Sequence, residues 1–132
     1  MPKPLLTHRT DGPATDPDGE VVVSVTDFRP DHLRDAPRIA ATGLRLQLGW
    51  YAMPGAVGLW LWSLPLARRS GSISVWTSAD DLRGFVRLPR HVAIMRRYRD
   101  RGSLRSTTWA AERLNVADVL ERACRWITEE AR

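Results

Sequence analysis

Cysteine is nearly absent from this chain of 132 residues, since Cys124 is the only one. An internal disulfide is therefore impossible, and no spacing of metal ligands surrounds Cys124. The lack of disulfides fits a reducing compartment. The sequence also has no amino-terminal signal pattern and no apolar run near the roughly 20 residues of a membrane helix, so we expect a cytoplasmic chain without membrane insertion.

Motifs that identify a reaction are also missing. The sequence contains no Gly-rich phosphate loop, no paired zinc motif and no Gly-x-Ser-x-Gly nucleophile elbow. No cluster of carboxylates falls in a predicted pocket. No metal site is predicted, and any catalytic hypothesis must come from the fold and from single reactive side chains.

Positive charge, in contrast, is in excess, with 20 basic and 15 acidic residues and a net charge of +5. Such a balance raises the possibility of nucleic-acid binding. However, the basic residues are interspersed with acids, and the one dense cluster is typical of a solvated helix end: Arg96, Arg97, Arg99 and Arg101. No Lys/Arg-Gly-Phe-Gly-Phe-type run of RNA-recognition domains occurs, so nucleic acid is not expected as a partner.

Four segments have the composition or alternation of β-strands. They span residues 21–25, 57–64, 72–76 and 104–111. The second segment is apolar on both faces. Side chains alternate along a strand, and here both alternating sets consist of large apolar residues. One predicted face carries Val57, Leu59 and Leu61, and the other carries Trp60 and Trp62.

Helical patterns fill the intervals between these segments. Asp35 is predicted to cap a helix within residues 31–50, and Ser78 with Asp81 forms a capping-box arrangement for the next. Pro89 predicts a break near Leu88. Beyond the break, four residues share one helical face at i, i+3, i+4 and i+7: His91, Ile94, Met95 and Tyr98. Asn115 caps a final amphipathic helix.

The predicted order is β-α-β-β-α-β followed by a C-terminal helix. This order is typical of an α+β, ferredoxin-like fold with a four-stranded antiparallel sheet. Residues 1–19 are predicted to be a flexible arm, and residues 20–132 a single domain. Helices on one face leave the other face bare, and the tryptophans on the later strands predict that a second subunit buries it.

The strand end at Trp76-Thr77-Ser78, followed by Leu82, Phe85 and His91 and by a closing strand with Trp109, resembles the dimeric α/β-barrel superfamily. The nearer relatives are similar to antibiotic-biosynthesis monooxygenases and to spheroidene-monooxygenase-like and DUF3291-like proteins. The resemblance covers residues 21–111. It implies a homodimer with sheets packed face to face, and a pocket between the sheet and the helices of each protomer.

The resemblance implies a monooxygenase-like enzyme for a hydrophobic aromatic or polyene small molecule, either cofactor-free or haem-dependent. Haem-degrading members use an Asn on the first strand, a Trp in the second helix and a later His ligand. Matching their strand-end Trp to Trp76 places Phe85 at the helical Trp position and Met95 at the ligand position. The first strand has no Asn. His91 would bind a cofactor only if haem is used.

His91 is the catalytic candidate, as a general base near neutral pH or as a haem ligand. Alternatively, His91 has only a structural role and stabilises the turn after Pro89. The residues predicted to bind substrate are Trp60, Trp62, Trp76, Phe85, Met95, Tyr98 and Trp109. Core or interface packing is the alternative for the tryptophans. The alternative function is a non-catalytic ligand-binding or dimeric interaction protein of the same fold.

Overall fold

One antiparallel sheet positions every helix of the protein. The structure is a computed structural model that describes residues 3–14 and 17–129. The strands are β1 (Leu5–Leu6), β2 (Thr10–Asp11), β3 (Val21–Pro30), β4 (Ala56–Leu64), β5 (Arg69–Trp76) and β6 (Gly102–Ala111). The α-helices are α1 (Ala36–Gly49), α2 (Ala79–Val86), α3 (Pro89–Tyr98) and α4 (Val116–Glu129). No helix within the described residues is long and apolar enough to cross a membrane.

The strand order is that of the ferredoxin-like fold. The four long strands lie side by side as β4-β5-β3-β6, and every pairing is antiparallel. The predicted α+β fold with an added C-terminal helix is therefore confirmed. The sheet is wider than predicted, because β1 and β2 both pair with the outer edge of β4.

The amino-terminal arm, predicted as flexible over residues 1–19, is in part a component of the sheet. Its backbone follows β4, with the N–H of Thr7 donating to the Leu61 carbonyl at 2.9 Å. The Gln47 side chain of α1 donates to the Thr10 hydroxyl at 2.9 Å. These contacts cover one open edge of the sheet, and residues 1–2 and 15–16 of the predicted arm lie outside the described residues.

Local signals in the sequence produced the helix boundaries around α2 and α3. The Ser78 Oγ accepts a hydrogen bond from the Asp81 N–H at 3.1 Å, as the capping arrangement predicted. Leu88 has an extended ψ of 138°, and Pro89 begins α3 immediately after it. Asp35 precedes α1 but makes no side-chain capping bond, because its carboxylate pairs with Arg101 at 3.4 Å instead.

Two apolar layers enclose the sheet. On the side of α1, α2 and α3, the buried residues are Val22, Trp50, Met53, Ala56, Leu59 and Trp76. On the other side, α4 packs onto a larger set: Val21, Val23, Val25, Val57, Trp60, Trp62, Leu64, Ile73, Val75, Val119, Ala123 and Ile127. We call these two surfaces the helical face and the α4 face of the sheet.

The chain itself covers the α4 face, because Val119, Ala123 and Ile127 of α4 are buried against it. The inference that a second subunit must bury the sheet tryptophans was therefore wrong in its premise, since α4 covers Trp60 and Trp62 and the helical face covers Trp76. The homodimer itself stays a prediction, but its interface cannot be assigned from a bare sheet face.

A β-bulge corrects the predicted position of Val57. The register between β4 and β5 shifts between Ala56 and Gly58, where one extra residue interrupts the alternation. Leu59 therefore lies on the helical face, opposite Trp60 as predicted, whereas Val57 lies on the α4 face together with Trp60.

Candidate functional site

Four aromatic rings are in contact between the sheet and the helices that cover its helical face. Trp50 meets Trp76 with ring centroids 4.9 Å apart, and Trp76 meets Phe85 at 5.1 Å. Phe85 in turn contacts His91 edge-on at 4.7 Å. We call Trp50, Trp76, Phe85 and His91 the aromatic cluster. It joins the end of α1, the end of β5 and both central helices.

Hydrogen bonds fix the orientation of Trp76 at the base of this cluster. Its indole N–H donates to the Ser74 hydroxyl at 3.0 Å, because residues two apart on a strand share one face. The Ser74 hydroxyl donates in turn to the Ser24 carbonyl of β3 at 3.4 Å. Trp76 is thus a rigid wall of the cluster.

His91 presents a neutral imidazole to the cluster. Burial lowers the pKa of His91 because it disfavours the charged form, and the nearby Val86 backbone carbonyl opposes this effect only in part. Its Nδ1 is buried and has no hydrogen-bond partner. A neutral imidazole with a free ring nitrogen is able to accept a proton at neutral pH.

Three buried polar atoms around the helical face have no hydrogen-bond partner within the described part of the chain: Trp50 Nε1, His91 Nδ1 and Tyr98 Oη. Leaving a buried donor or acceptor unpaired costs about 1–3 kcal/mol. Tyr98 is 8% exposed and its ring packs edge-on against Phe28 at 6.1 Å. Phe28 lies six residues along β3 from Val22, the strand partner of Trp76, so among the described residues Trp50 Nε1 and His91 Nδ1 are the unsatisfied atoms of the aromatic cluster itself.

The structure brings together only part of the predicted site. Trp76, Phe85 and His91 are in one row of contacts, while Tyr98 lies on the same side of the sheet and Met95 is 38% exposed on α3. Trp60, Trp62 and Trp109 instead lie on the α4 face. Within one protomer the sheet therefore separates the two groups of predicted substrate-binding residues.

The tryptophans of the α4 face have structural partners. Trp62 donates its indole N–H to the Thr26 carbonyl at 2.9 Å. The Arg122 guanidinium lies over the Trp109 ring, 4.5 Å from its centroid. Packing in the layer covered by α4 therefore accounts for these tryptophans, in agreement with the alternative that they are core residues.

Sequence reasoning missed Trp50 as a member of the site. The sequence placed Trp50 only at the end of the predicted helical segment, residues 31–50. In the structure α1 ends at Gly49, and a short 3₁₀ turn over Trp50–Ala52 directs the chain onto the sheet. The position of Trp50 beside Trp76 depends on how that turn packs, which local patterns do not specify.

Haem does not fit the residues present. Phe85 stands between Trp76 and His91 with ring contacts of 5.1 and 4.7 Å, and its ring edge faces the imidazole that would have to bind the iron. Met95, at the ligand position implied by the resemblance, is on the exposed side of α3. The strand residues that face this layer include Val22 and Ser24 but no Asn. Within the described residues, no group of three or more His, Cys, Asp or Glu could hold a metal ion.

Comparison with known proteins identifies the fold. SnoaB, a cofactor-independent oxygenase from Streptomyces nogalater, superposes with a TM-score of 0.60 at 17% identity, over 74% of this chain and 97% of that one. LmHde, a heme-degrading enzyme from Listeria monocytogenes, gives 0.61 at 15% identity, over 78% and 68%. A candidate antibiotic biosynthesis monooxygenase from Deinococcus radiodurans gives 0.62 at 13% identity, over 72% and 97%. No family model and no curated protein matches the sequence.

Proposed function

We propose that this chain, which has the ferredoxin-like fold of the antibiotic-biosynthesis monooxygenases, is a monooxygenase-like enzyme for a hydrophobic aromatic or polyene small molecule and works without haem. The observation that carries the proposal is the aromatic cluster with its buried, unpartnered Trp50 Nε1 and His91 Nδ1. Flat aromatic walls with a few unsatisfied polar atoms are what a planar substrate with hydroxyl or carbonyl groups needs.

The substrate reaches the cluster by displacing Phe85. No residue of α2 is buried, and Tyr98 is the only buried residue of α3. Phe85 itself is half-buried, and its neighbour Val86 is 45% exposed. A helix with so little buried surface opens at low cost, so α2 acts as a lid over the more deeply buried Trp50 and Trp76.

His91 then acts as the general base. A C–H bond made acidic by adjacent aromatic rings loses its proton to the imidazole, and the resulting electron-rich anion reacts with O₂. For a CH₂ group the net change is two C–H bonds lost, one oxygen atom kept as C=O and the other released as water, so four electrons pass from carbon to O₂. Trp76, held by Ser74, keeps the anion planar and away from water.

The test uses 1,8-dihydroxy-9-anthrone as a planar probe and follows oxygen uptake together with tryptophan fluorescence. We expect saturable quenching and an uptake rate above the protein-free blank. His91→Gln should lower this rate about 100-fold or more while quenching persists. His32→Gln is the matched control, since His32 is exposed. Equal loss in both variants would contradict a catalytic role for His91.

The second candidate is a non-catalytic ligand-binding protein of the same fold. Close contacts among all four rings of the aromatic cluster favour it, because a filled layer already buries its apolar surface without substrate. In the same experiment this candidate predicts saturable quenching with oxygen uptake equal to the blank.

A further inference from the structure

A concave site lies at the opposite end of α1 from the aromatic cluster. It is a cleft of about 290 Å³ lined by Arg34, Asp35, Arg38 and Arg101. α1 has 14 residues, so its two ends are about 21 Å apart. The cleft lies beside the end of β3 and the start of β6, where the Asp31 N–H donates to the Arg101 carbonyl at 2.7 Å.

The cleft carries an uncompensated positive charge. Three arginines against one aspartate leave an excess of two charges. Asp35 is 3% exposed and its carboxylate is already engaged by Arg101 at 3.4 Å. No ion pair of Arg34 or Arg38 occurs within residues 3–14 and 17–129. Two guanidinium groups are therefore available to an anion.

Arg34 and Arg38 lie where positive charge lowers the stability of α1. The first turn of α1 contains no acidic residue, and Asp35 forms no capping hydrogen bond. A helix N-terminus has a partial positive charge, so cations there are unfavourable and anions are favourable. By contrast, α2 begins with Ser78, Asp80 and Asp81. An arrangement that costs stability at α1 but recruits negative charge is consistent with a binding role.

We propose that this cleft binds the phosphate or diphosphate group of a small molecule, with Arg34 and Arg38 as the ligands and Asp35 orienting Arg101. Guanidinium groups bind phosphate through two parallel N–H donors each. The volume lies at the lower end of the range for ligand pockets, which fits a compact anionic group and not a large aromatic body. The site is separate from the aromatic cluster.

Isothermal titration of the full chain with pyrophosphate at low salt tests the proposal. We expect saturable binding at one site, weakened at least tenfold in the double variant Arg34→Gln, Arg38→Gln. The matched control is Arg45→Gln, Arg96→Gln, which removes the same charge from exposed positions outside the cleft and should stay within twofold of the wild type. Absence of saturable binding, or equal weakening in both double variants, would overturn the site.

Two further titrations test which donor groups bind the anion and which class of anion binds. Arg34→Lys, Arg38→Lys keeps the charge but removes the planar donors, so affinity should fall several-fold; unchanged affinity would overturn the assignment of paired guanidinium contacts. Tighter binding of a single-stranded oligonucleotide than of pyrophosphate would overturn the small-molecule assignment. Circular dichroism melting of Arg34→Gln, Arg38→Gln should give a midpoint equal to or above that of the wild type, because both side chains are exposed and their charges are unfavourable at the α1 N-terminus.

Discussion

Arg69 and Asp27 form a buried ion pair beneath the C-terminal end of α4, with Nη2 of Arg69 2.5 Å from Oδ2 of Asp27. The two side chains are 8% and 3% exposed. Arg69 also donates to the Ile127 carbonyl at 2.8 Å, and Arg105 binds the same carboxylate of Asp27. One carboxylate thus links β3, β5 and β6, and Arg69 extends the link to α4.

Removing the carboxylate should destabilise the protein strongly. Asp27→Asn leaves Arg69 buried without its counter-charge, and we expect the free energy of unfolding to fall by about 3–5 kcal/mol in urea denaturation. Asp80→Asn is the control, since Asp80 pairs with Arg83 on the exposed side of α2 and should have little effect. Similar losses in the two variants would show that the buried pair is not what holds α4.

His91 should make stability depend on pH. Burial lowers the pKa of His91 in the folded protein below the value of about 6.5 expected for the unfolded chain. Between the two values the unfolded chain binds more protons, so the free energy of unfolding falls as the pH decreases from about 6.5 through the lower pKa of the folded state. His91→Gln should reduce this slope, measured by urea denaturation between pH 5 and 8. If the pH dependence of the free energy of unfolding stays unchanged in His91→Gln, or falls equally in His32→Gln, burial of His91 is not its cause.

Gly71 should not tolerate a side chain. A Cβ there would lie 1.8 Å from the Thr26 carbonyl oxygen and 2.8 Å from Nε1 of Trp62, which are joined by a hydrogen bond. Gly71→Ala should therefore cost about 1–3 kcal/mol or more. Gly84→Ala is the control, because nothing lies within 4 Å of its Cβ position and alanine favours a helix. Thermal melting should show a lower midpoint for the first and an equal or higher one for the second.

A charge in the buried stripe of α4 should detach this helix. Ala123 is fully buried against the α4 face, so Ala123→Asp should expose Trp60 and Trp62, shift tryptophan emission to longer wavelength and promote self-association in light scattering. Ala117→Asp adds the same charge at an exposed position in the first turn of α4 and should behave as wild type. Wild-type behaviour of Ala123→Asp would mean that α4 does not cover the sheet in solution.

The same measurement addresses the homodimer, which we predict for the full chain. Sheets packed face to face require α4 to leave the α4 face. A dimer that forms with α4 in place must use another surface. Sedimentation of the wild type and of Ala123→Asp should distinguish the two arrangements. Release of α4 in the variant should strengthen dimerisation only if the dimer forms by face-to-face packing of the sheets.

Much of the architecture follows from local signals. Ser78 caps α2 and Pro89 begins α3 because capping and the missing proline N–H act within one helical turn. The alternation of Leu59 and Trp60 was predicted because strand side chains point to opposite faces. The strand order followed from the sequence of elements, since few topologies connect them without crossing.

The tertiary structure decided how these parts meet. Alternation separates Trp76 from its strand neighbours but does not indicate that Trp109, on another strand, faces the opposite side of the sheet. Contacts between residues far apart in the chain likewise determine the bulge beside Val57, the docking of α4 and the placement of Arg34 and Arg101 around one cleft. Sequence patterns act over a few residues, whereas register, burial and charge pairing are set by the lowest free energy of the whole packed chain.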